Sequence, residues 1–248
     1  MSKRTKFGLL GKDISYSFSR KYFSEKFEKL GLADLTYSNL DIPEIEEFPF
    51  LLYHREDEYQ GINVTIPYKE SVMRYLHEID EDAKKIGAVN TIKVTNDNKL
   101  FGYNTDFYGF QKSIEPFIKN HHKKALILGT GGASKAIAYA LKKMNIAYKF
   151  VSRSKAEDKF TYEMLNQQIF EEYTVIINST PVGTFPNVNE SPNIPFEFIT
   201  EKHLLFDLIY NPEQSKFLKE GLKRGAAIKN GYEMLELQAE KSWEIWNS

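Results

Sequence analysis

The chain has no cysteine in its 248 residues. That excludes disulfides, thiolate nucleophiles and cysteine-ligated zinc, and it fits a reducing cytoplasm. It also lacks an excess of either charge: 33 Lys and Arg stand against 34 Asp and Glu, for a formal net charge of −1. Nucleic-acid and membrane partners usually demand a clustered basic surface, so neither is expected. The one basic stretch, residues 119–124 with His121 and His122 inside it, is short and reads as a solvated connection. Long apolar runs are missing as well. The opening Met-Ser-Lys-Arg-Thr-Lys leads into residues 7–10, too short a run for a signal-peptide core or a membrane span. A cytoplasmic protein is expected. There is no internal repeat and no low-complexity tract. The length allows one large domain or two modest ones.

Among what is present, the stretch Gly61-Ile-Asn-Val-Thr-Ile-Pro-Tyr-Lys-Glu70 is the most informative. Val64 and Ile66 supply a β-branched run. Pro67 suits a first helical position, where its missing N–H costs nothing. Val72, Met73, Leu76 and Ile79 repeat at helical spacing, which predicts a helix after Pro67. Lys69 then stands in the first turn, on the face of Val72, Met73 and Leu76. The helix dipole and partial removal from water both disfavour the ammonium form there, which is how a lysine becomes a proton-transfer group. Read alone, Lys69 is more simply a lysine whose amine reaches solvent.

Further strands are predicted at 7–10, 35–40, 61–66, 88–94 and 99–102, the last two joined by a turn at 96–98. Helices are predicted at 21–30, with Tyr22, Phe23, Phe27 and Leu30 on one face, and at 106–119, striped by Phe107, Phe110, Ile114 and Phe117. The composition then changes. Apolar strands without polar alternation are predicted at 124–128, 148–152, 174–178 and 204–209, with helices at 133–143 and 231–246. Such strands separated by helices indicate a parallel sheet covered on both faces.

The segment Ala125-Leu-Ile-Leu-Gly-Thr-Gly-Gly-Ala-Ser-Lys135 has the order a dinucleotide site needs. Gly129 turns off the strand, Gly131 lets the backbone approach a pyrophosphate, and the third glycine position carries the small Ser134. The N–H groups of the helix start face the phosphates. This makes Gly129, Thr130, Gly131, Gly132 and Ala133 candidate cofactor contacts. The end of the next strand decides which cofactor. An acidic residue there holds the ribose hydroxyl of NAD; this chain has Ser152, Arg153, Ser154 and Lys155. Hydroxyls with two cations suit a 2′-phosphate, which Arg153 can grip bidentately, so NADP(H) is favoured over NAD. The loop Asn178-Ser-Thr-Pro-Val-Gly-Thr184 ends another strand and is expected to run along the cofactor through Thr180; alone it reads equally as a Pro-Gly turn.

Four more segments carry polar groups in suggestive places: Gly11-Lys-Asp-Ile-Ser-Tyr-Ser-Phe-Ser19, Gly87-Ala-Val-Asn-Thr91, Gly102-Tyr-Asn-Thr-Asp106 and Gly231-Tyr-Glu-Met-Leu-Glu-Leu-Gln238. Singly each has an ordinary reading, Asp106 as a helix cap, Asn90 as a turn residue, Gln238 as helix surface. Together with Asn63-Val-Thr-Ile-Pro-Tyr-Lys69, the glycine loop, Asn178-Ser-Thr-Pro-Val-Gly183 and Asp207-Leu-Ile-Tyr-Asn-Pro212, they resemble the shikimate dehydrogenases, over nearly the whole chain.

The resemblance implies an α/β protein of two domains. An N-terminal α/β substrate domain, 1–105, is completed by the C-terminal helix 232–248, and a Rossmann-like doubly wound NADP-binding domain covers 106–231. It implies Lys69 and Asp106 as the catalytic pair. Ser17, Ser19, Thr65, Asn90, Tyr210 and Gln238 become substrate contacts, and Gly231 lies near the nicotinamide. The partners it implies are small molecules, shikimate and 3-dehydroshikimate, handled by a monomer or homodimer. The chain departs from the family pattern at Asp13, at Tyr16, at Arg20 in place of a proline and at Thr184 in place of a methionine. Two other readings stand beside it, an NAD-dependent quinate/shikimate dehydrogenase and a non-catalytic sensor of the same metabolites. Ser17 with Ser19 and Arg153 argue against the first, and retention of Lys69 and Asp106 argues against the second.

Overall fold

The computed structural model describes residues 5–15, 17–53 and 59–248, with the backbone alone of Tyr53. Tyr16, one of the departures above, lies outside the described residues. The chain divides into two units. One runs to Thr105 and takes in Ala239–Ser248; the other is Asp106–Gln238.

The first unit holds β1 (Thr5–Gly11), α1 (Phe18–Lys29), β2 (Leu35–Asp41), α2 (Phe48–Tyr53), β3 (Tyr59–Val64), β4 (Glu78–Ile79), α3 (Glu81–Ile86), β5 (Thr91–Val94) and β6 (Leu100–Tyr103). They form one sheet in the order β2-β1-β3-β5-β6-β4. β1 runs parallel to β2 and β3, while β3, β5 and β6 are antiparallel in turn. Alternation along β1 sends Phe7 and Leu9 to one packed face and Leu10 to the other. Trp246, from the C-terminal segment, packs on Phe7 and Phe23 and donates its indole N–H to the Ile92 carbonyl at 3.0 Å. It fits because Gly61 has no side chain; a Cβ there would overlap the indole.

α1 starts earlier than the sequence predicts. The Ser17 hydroxyl accepts from the Arg20 amide at 3.2 Å and caps the helix at Phe18. Phe23 and Phe27 are its buried residues, whereas Leu30 follows the last turn and is exposed.

The helix predicted after Pro67 is not there. Residues 66–70 form a turn, residues Ser71–Tyr75 form a 3₁₀ helix, and Ile79 belongs to β4. Strand pairing wins over the helical period: His77 donates to the Leu100 carbonyl at 3.0 Å and Asp80 to that of Gly102 at 2.8 Å, drawing the chain onto the sheet edge. Tyr68, not Lys69, takes the inward position. Tyr68 is buried beside Val72 and donates its hydroxyl to the Ile42 carbonyl at 2.8 Å. Lys69 is half-buried and stands in a turn, not in the first turn of an α-helix.

The second unit holds α4 (Asp106–Ile114), β7 (Lys124–Leu128), α5 (Gly132–Lys143), β8 (Ala147–Ser152), β9 (Lys159–Thr161), α6 (Gln167–Glu172), β10 (Val175–Asn178), β11 (Leu204–Asp207), α7 (Lys216–Leu222), β12 (Ala227–Lys229) and α8 (Tyr232–Trp246), the last turns of α8 belonging to the first unit. α4 stops short of residue 119 because Pro116 cannot continue it, and residues Glu115–Phe117 are 3₁₀. The six strands are parallel, in the order β12-β11-β10-β7-β8-β9. That is the doubly wound order, with its switch point between β7 and β10. Both faces are covered, by Phe110, Ile137 and Met234 on one side and by Phe170, Phe217 and Leu218 on the other. Met234 in this core is why the first turns of α8 belong here. The second boundary falls between Gln238 and Ala239, inside the helix rather than ahead of it.

Candidate active site

In the first unit, candidate residues gather at the carboxyl ends of β1 and β3. The Thr65 amide donates to the Leu10 carbonyl at 2.9 Å, and the Lys12 amide to that of Ile66 at 3.4 Å, tying the two strand-end loops together. The hydroxyl-rich loop is anchored by two residues that sequence reasoning passed over. The Asp41 carboxylate accepts from the amides of Asp13 (2.9 Å) and Ile14 (3.1 Å), and the Asn39 amide donates to the Ile14 carbonyl at 2.7 Å. These bonds lead the chain to Ser17, whose hydroxyl caps α1 while its hydrogen can still be donated. The Lys69 carbonyl accepts from the Val89 amide at 2.7 Å, and the Val64 amide donates to the Asn90 carbonyl at 2.8 Å. Lys69, Thr65 and Asn90 are thus fixed by backbone bonds at one end of the sheet.

A buried chain of hydrogen bonds runs beneath them. Ser19 bonds to the Tyr37 phenol, which donates to the Asn63 Oδ1 at 2.8 Å. The Asn63 Nδ2 donates to the Ser242 hydroxyl at 3.0 Å, Ser242 bonds to Thr91 at 2.8 Å, and Thr91 donates to the Asn90 Oδ1 at 3.1 Å. That same Oδ1 accepts from the Thr105 amide at 2.7 Å, and the Asn90 Nδ2 donates to the Thr105 hydroxyl at 3.0 Å. Both ends of the Asn90 amide therefore hold the residue immediately before Asp106. Burial pushes the Tyr37 phenol well up, against the pull of Ser19, so it stays a neutral donor.

Asp106, Tyr210 and Gln238 belong to the second unit. Asp106 is buried in the first turn of α4, not a flanking cap. Gln238 is buried and donates to the Leu235 carbonyl at 3.0 Å. Tyr210 follows β11, and partial burial raises its phenol. Gly231 can be nothing larger, since a Cβ would overlap the Leu208 carbonyl.

At the switch point of the parallel sheet lies a cavity of about 630 Å³. Gly129, Thr130 and Gly131 form one wall, Ser152 and Arg153 another, and Thr180 a third. Gly129 has φ +100°, which only glycine adopts without strain, and a Cβ there would press on Thr180. Gly131 and Gly132 leave open space around the helix start, as close approach of an anion requires. Ala133 continues the first turn of α5, and the buried Ser134 donates its hydroxyl back to the Gly131 carbonyl at 2.6 Å. Ser152 donates to the Ser154 carbonyl at 2.6 Å, shaping the turn that presents Arg153. Tyr162 lines the same cavity, where burial raises its phenol and the Arg153 charge opposes this.

Sequence reasoning also missed the polar ends of β10 and β11. Asn178 and Asp207 are register partners on adjacent strands, both fully buried. Burial pushes the Asp207 carboxyl up to about 6, against hydrogen bonds from Ser215, the Ile209 amide and Asn178. The available signal was a polar residue closing an otherwise apolar strand, as in Val175-Ile-Ile-Asn178 and Leu204-Leu-Phe-Asp207.

Among the described residues no cluster of His, Asp and Glu could hold a metal ion, and no helix is long and apolar enough to cross a membrane.

The family model described as shikimate dehydrogenase substrate binding domain matches residues 9–92. The shikimate dehydrogenase (NADP(+)) of Methanococcus maripaludis is 38% identical, over 99% of this chain and 92% of that one. The crystal structure of a chorismate mutase/shikimate 5-dehydrogenase fusion protein from Clostridium acetobutylicum superposes with a TM-score of 0.85 at 34% identity, covering 99% of this chain and 92% of the other. Shikimate 5-dehydrogenase from Thermus thermophilus, solved with NADP(H) and shikimate, gives 0.85 at 29% identity, covering 98% and 93%. With sequence and fold agreeing across its whole length, the chain belongs to the shikimate dehydrogenase family.

Proposed function

We propose that the chain catalyses the reversible NADPH-dependent reduction of 3-dehydroshikimate to shikimate, a step toward chorismate and the aromatic amino acids. The observation that carries the cofactor half is the cavity at the switch point, with glycines on one wall and Arg153 where an NAD enzyme carries an acid. Gly129, Thr130, Gly131, Gly132 and Ala133 hold the pyrophosphate, Ser152, Arg153 and Ser154 the 2′-phosphate, and Thr180 and Gly231 line the path to the nicotinamide. When bound, NADPH supplies the hydride for the ketone carbon.

This chain's residues do the rest. Ser17 and Ser19 bind the substrate carboxylate, and Thr65, Asn90, Tyr210 and Gln238 its hydroxyls. Negative charge grows on the ketone oxygen as the carbon is reduced. The Lys69 ammonium stabilises that oxygen and delivers its proton; in reverse, the amine accepts it. Asp106 holds and orients the amine. The same reading makes the enzyme a cytoplasmic monomer or homodimer with small-molecule partners and neither nucleic acid nor membrane.

The test is steady-state turnover of shikimate and quinate, each with NADP and NAD, followed by nicotinamide absorbance. Shikimate with NADP is expected to be the best pair. Binding without turnover in any combination would sink the enzymatic reading in favour of a sensor, and a preference for NAD would remove the role of Arg153.

A further inference from the structure

One buried ionisable group lies outside this mechanism. Asp207 ends β11, fully buried, and its two oxygens are used differently. Oδ1 accepts from the Asn178 Nδ2 at 3.0 Å and from the Ile209 amide at 3.1 Å. Oδ2 accepts from the Ser215 hydroxyl, which also caps α7. An asparagine amide can be turned either way, and the Asp207 carboxylate, which can only accept, is the nearer of two acceptors that hold the Asn178 Nδ2, the other being the Val182 carbonyl at 3.4 Å. With its Nδ2 committed to the carboxylate, the Asn178 Oδ1 points at Thr180. There it accepts from the Thr180 amide at 3.1 Å and from the Thr180 hydroxyl at 2.6 Å. Thr180 lines the 630 Å³ cavity and rests against Gly129 across the switch point.

We propose that Asp207 is a positioning residue for the cofactor: by orienting the Asn178 amide it fixes the Thr180 loop on the cavity wall. The proposal rests on the reading of that cavity as the NADP(H) site. If Asp207 became an apolar residue, the Asn178 Nδ2 would keep only the long bond to the Val182 carbonyl at 3.4 Å, and the amide could turn to present Nδ2 to Thr180, donor against donor. The loop would then leave its place beside the glycines. An asparagine at 207 would preserve the arrangement. Its Oδ1 accepts from Asn178 and Ile209, and its Nδ2 donates to the Ser215 oxygen, whose hydroxyl can reverse its role. Protonated Asp207 makes that same pattern, since only Ser215 among its partners can switch from donor to acceptor. Orientation of Asn178, not charge at 207, is what the site requires.

The experiment is direct titration of the full chain with NADPH by fluorescence, with shikimate KM measured in parallel and folding checked by denaturant titration. Asp207→Ala should weaken NADPH by about tenfold, the worth of one lost hydrogen-bonded anchor. The shikimate KM should stay within about twofold, and Asp207→Asn should keep NADPH affinity within about twofold of wild type. A folded Asp207→Ala that binds NADPH as wild type does overturns the proposal, as does Asp207→Asn losing as much as the alanine. Should Asp207→Ala not fold, Ser215→Ala frees the carboxylate to rotate and should cost about threefold in NADPH affinity alone; an unchanged affinity overturns the proposal. Wild-type protein that does not bind NADPH overturns the functional reading and the proposal with it, whereas wild-type binding matched by every variant overturns only the proposal.

Discussion

The two units solve one problem in two ways. Each must hold polar groups at the ends of buried strands, and each does so with a hydrogen-bonded network. The buried network of the first unit is built of neutral groups, Tyr37, Asn63, Thr91, Ser242, Asn90 and Thr105, while its one carboxylate anchor named above, Asp41, is exposed. The second uses a carboxyl, Asp207, linked to Asn178, Thr180 and Ser215. A neutral network keeps its bonds across ordinary pH, whereas a buried carboxyl makes its unit's stability depend on pH.

The largest expected effect tests where the chemistry is assigned. Lys69→Ala should lower kcat by about 10²–10⁴-fold, the usual worth of a general acid, with a smaller change in KM. Near-normal kcat in steady-state assays would remove Lys69 from the reaction. Next is a change that should strike the first unit alone. Trp246→Ala empties the space over Gly61 and breaks the bond to the Ile92 carbonyl, and should cost about 3–5 kcal/mol. Denaturant titration reads this, and a cost under about 1 kcal/mol would mean the C-terminal segment does not hold that sheet.

The pH contrast is sharper still. The Asp207 carboxyl titrates at 3.8 when unfolded and at about 6 when folded. Below the lower value both states keep the proton and nothing is lost. Between the two, the unfolded chain has released it and the folded protein has not, so stability falls as pH rises. Above about 6 the loss is complete, about 3 kcal/mol for a gap of this size. Urea titrations of wild type and Asp207→Asn at several pH values should differ by this slope within that window. Parallel curves would show that Asp207 carries no such penalty, and the two networks would then be alike.

How much of this was legible depended on the kind of interaction. The parallel sheet from β7 to β11 was readable because its strands are uninterrupted apolar runs, and Gly129 and Arg153 because backbone approach and charge leave local marks. Lys69 was singled out on a helix that is not there. The period of Val72, Met73 and Leu76 looked helical, yet pairing of residues 77–80 with β6 overrode it, a long-range contact that no local window contains. The anchors Asp41, Asn63 and Ser242 were hidden for the same reason: Asn63 meets Ser242 from 179 residues away. α3 went unnoticed although Asp80 and Gly87 cap it, because six residues carry too little periodicity to register.

The smallest effect returns to the second unit and its cofactor. Arg153→Ala removes an exposed guanidinium at the cavity mouth, which Tyr162 also lines. No buried bond is lost, so stability should change by less than about 0.5 kcal/mol. What is lost is a charge-assisted contact to the 2′-phosphate, which NAD does not have. Binding of NADP should weaken by about 10–100-fold while that of NAD stays within about twofold. Equal losses for both cofactors would mean that Arg153 touches something they share, such as the adenine or the pyrophosphate. Arg153 would then not be what separates NADP from NAD.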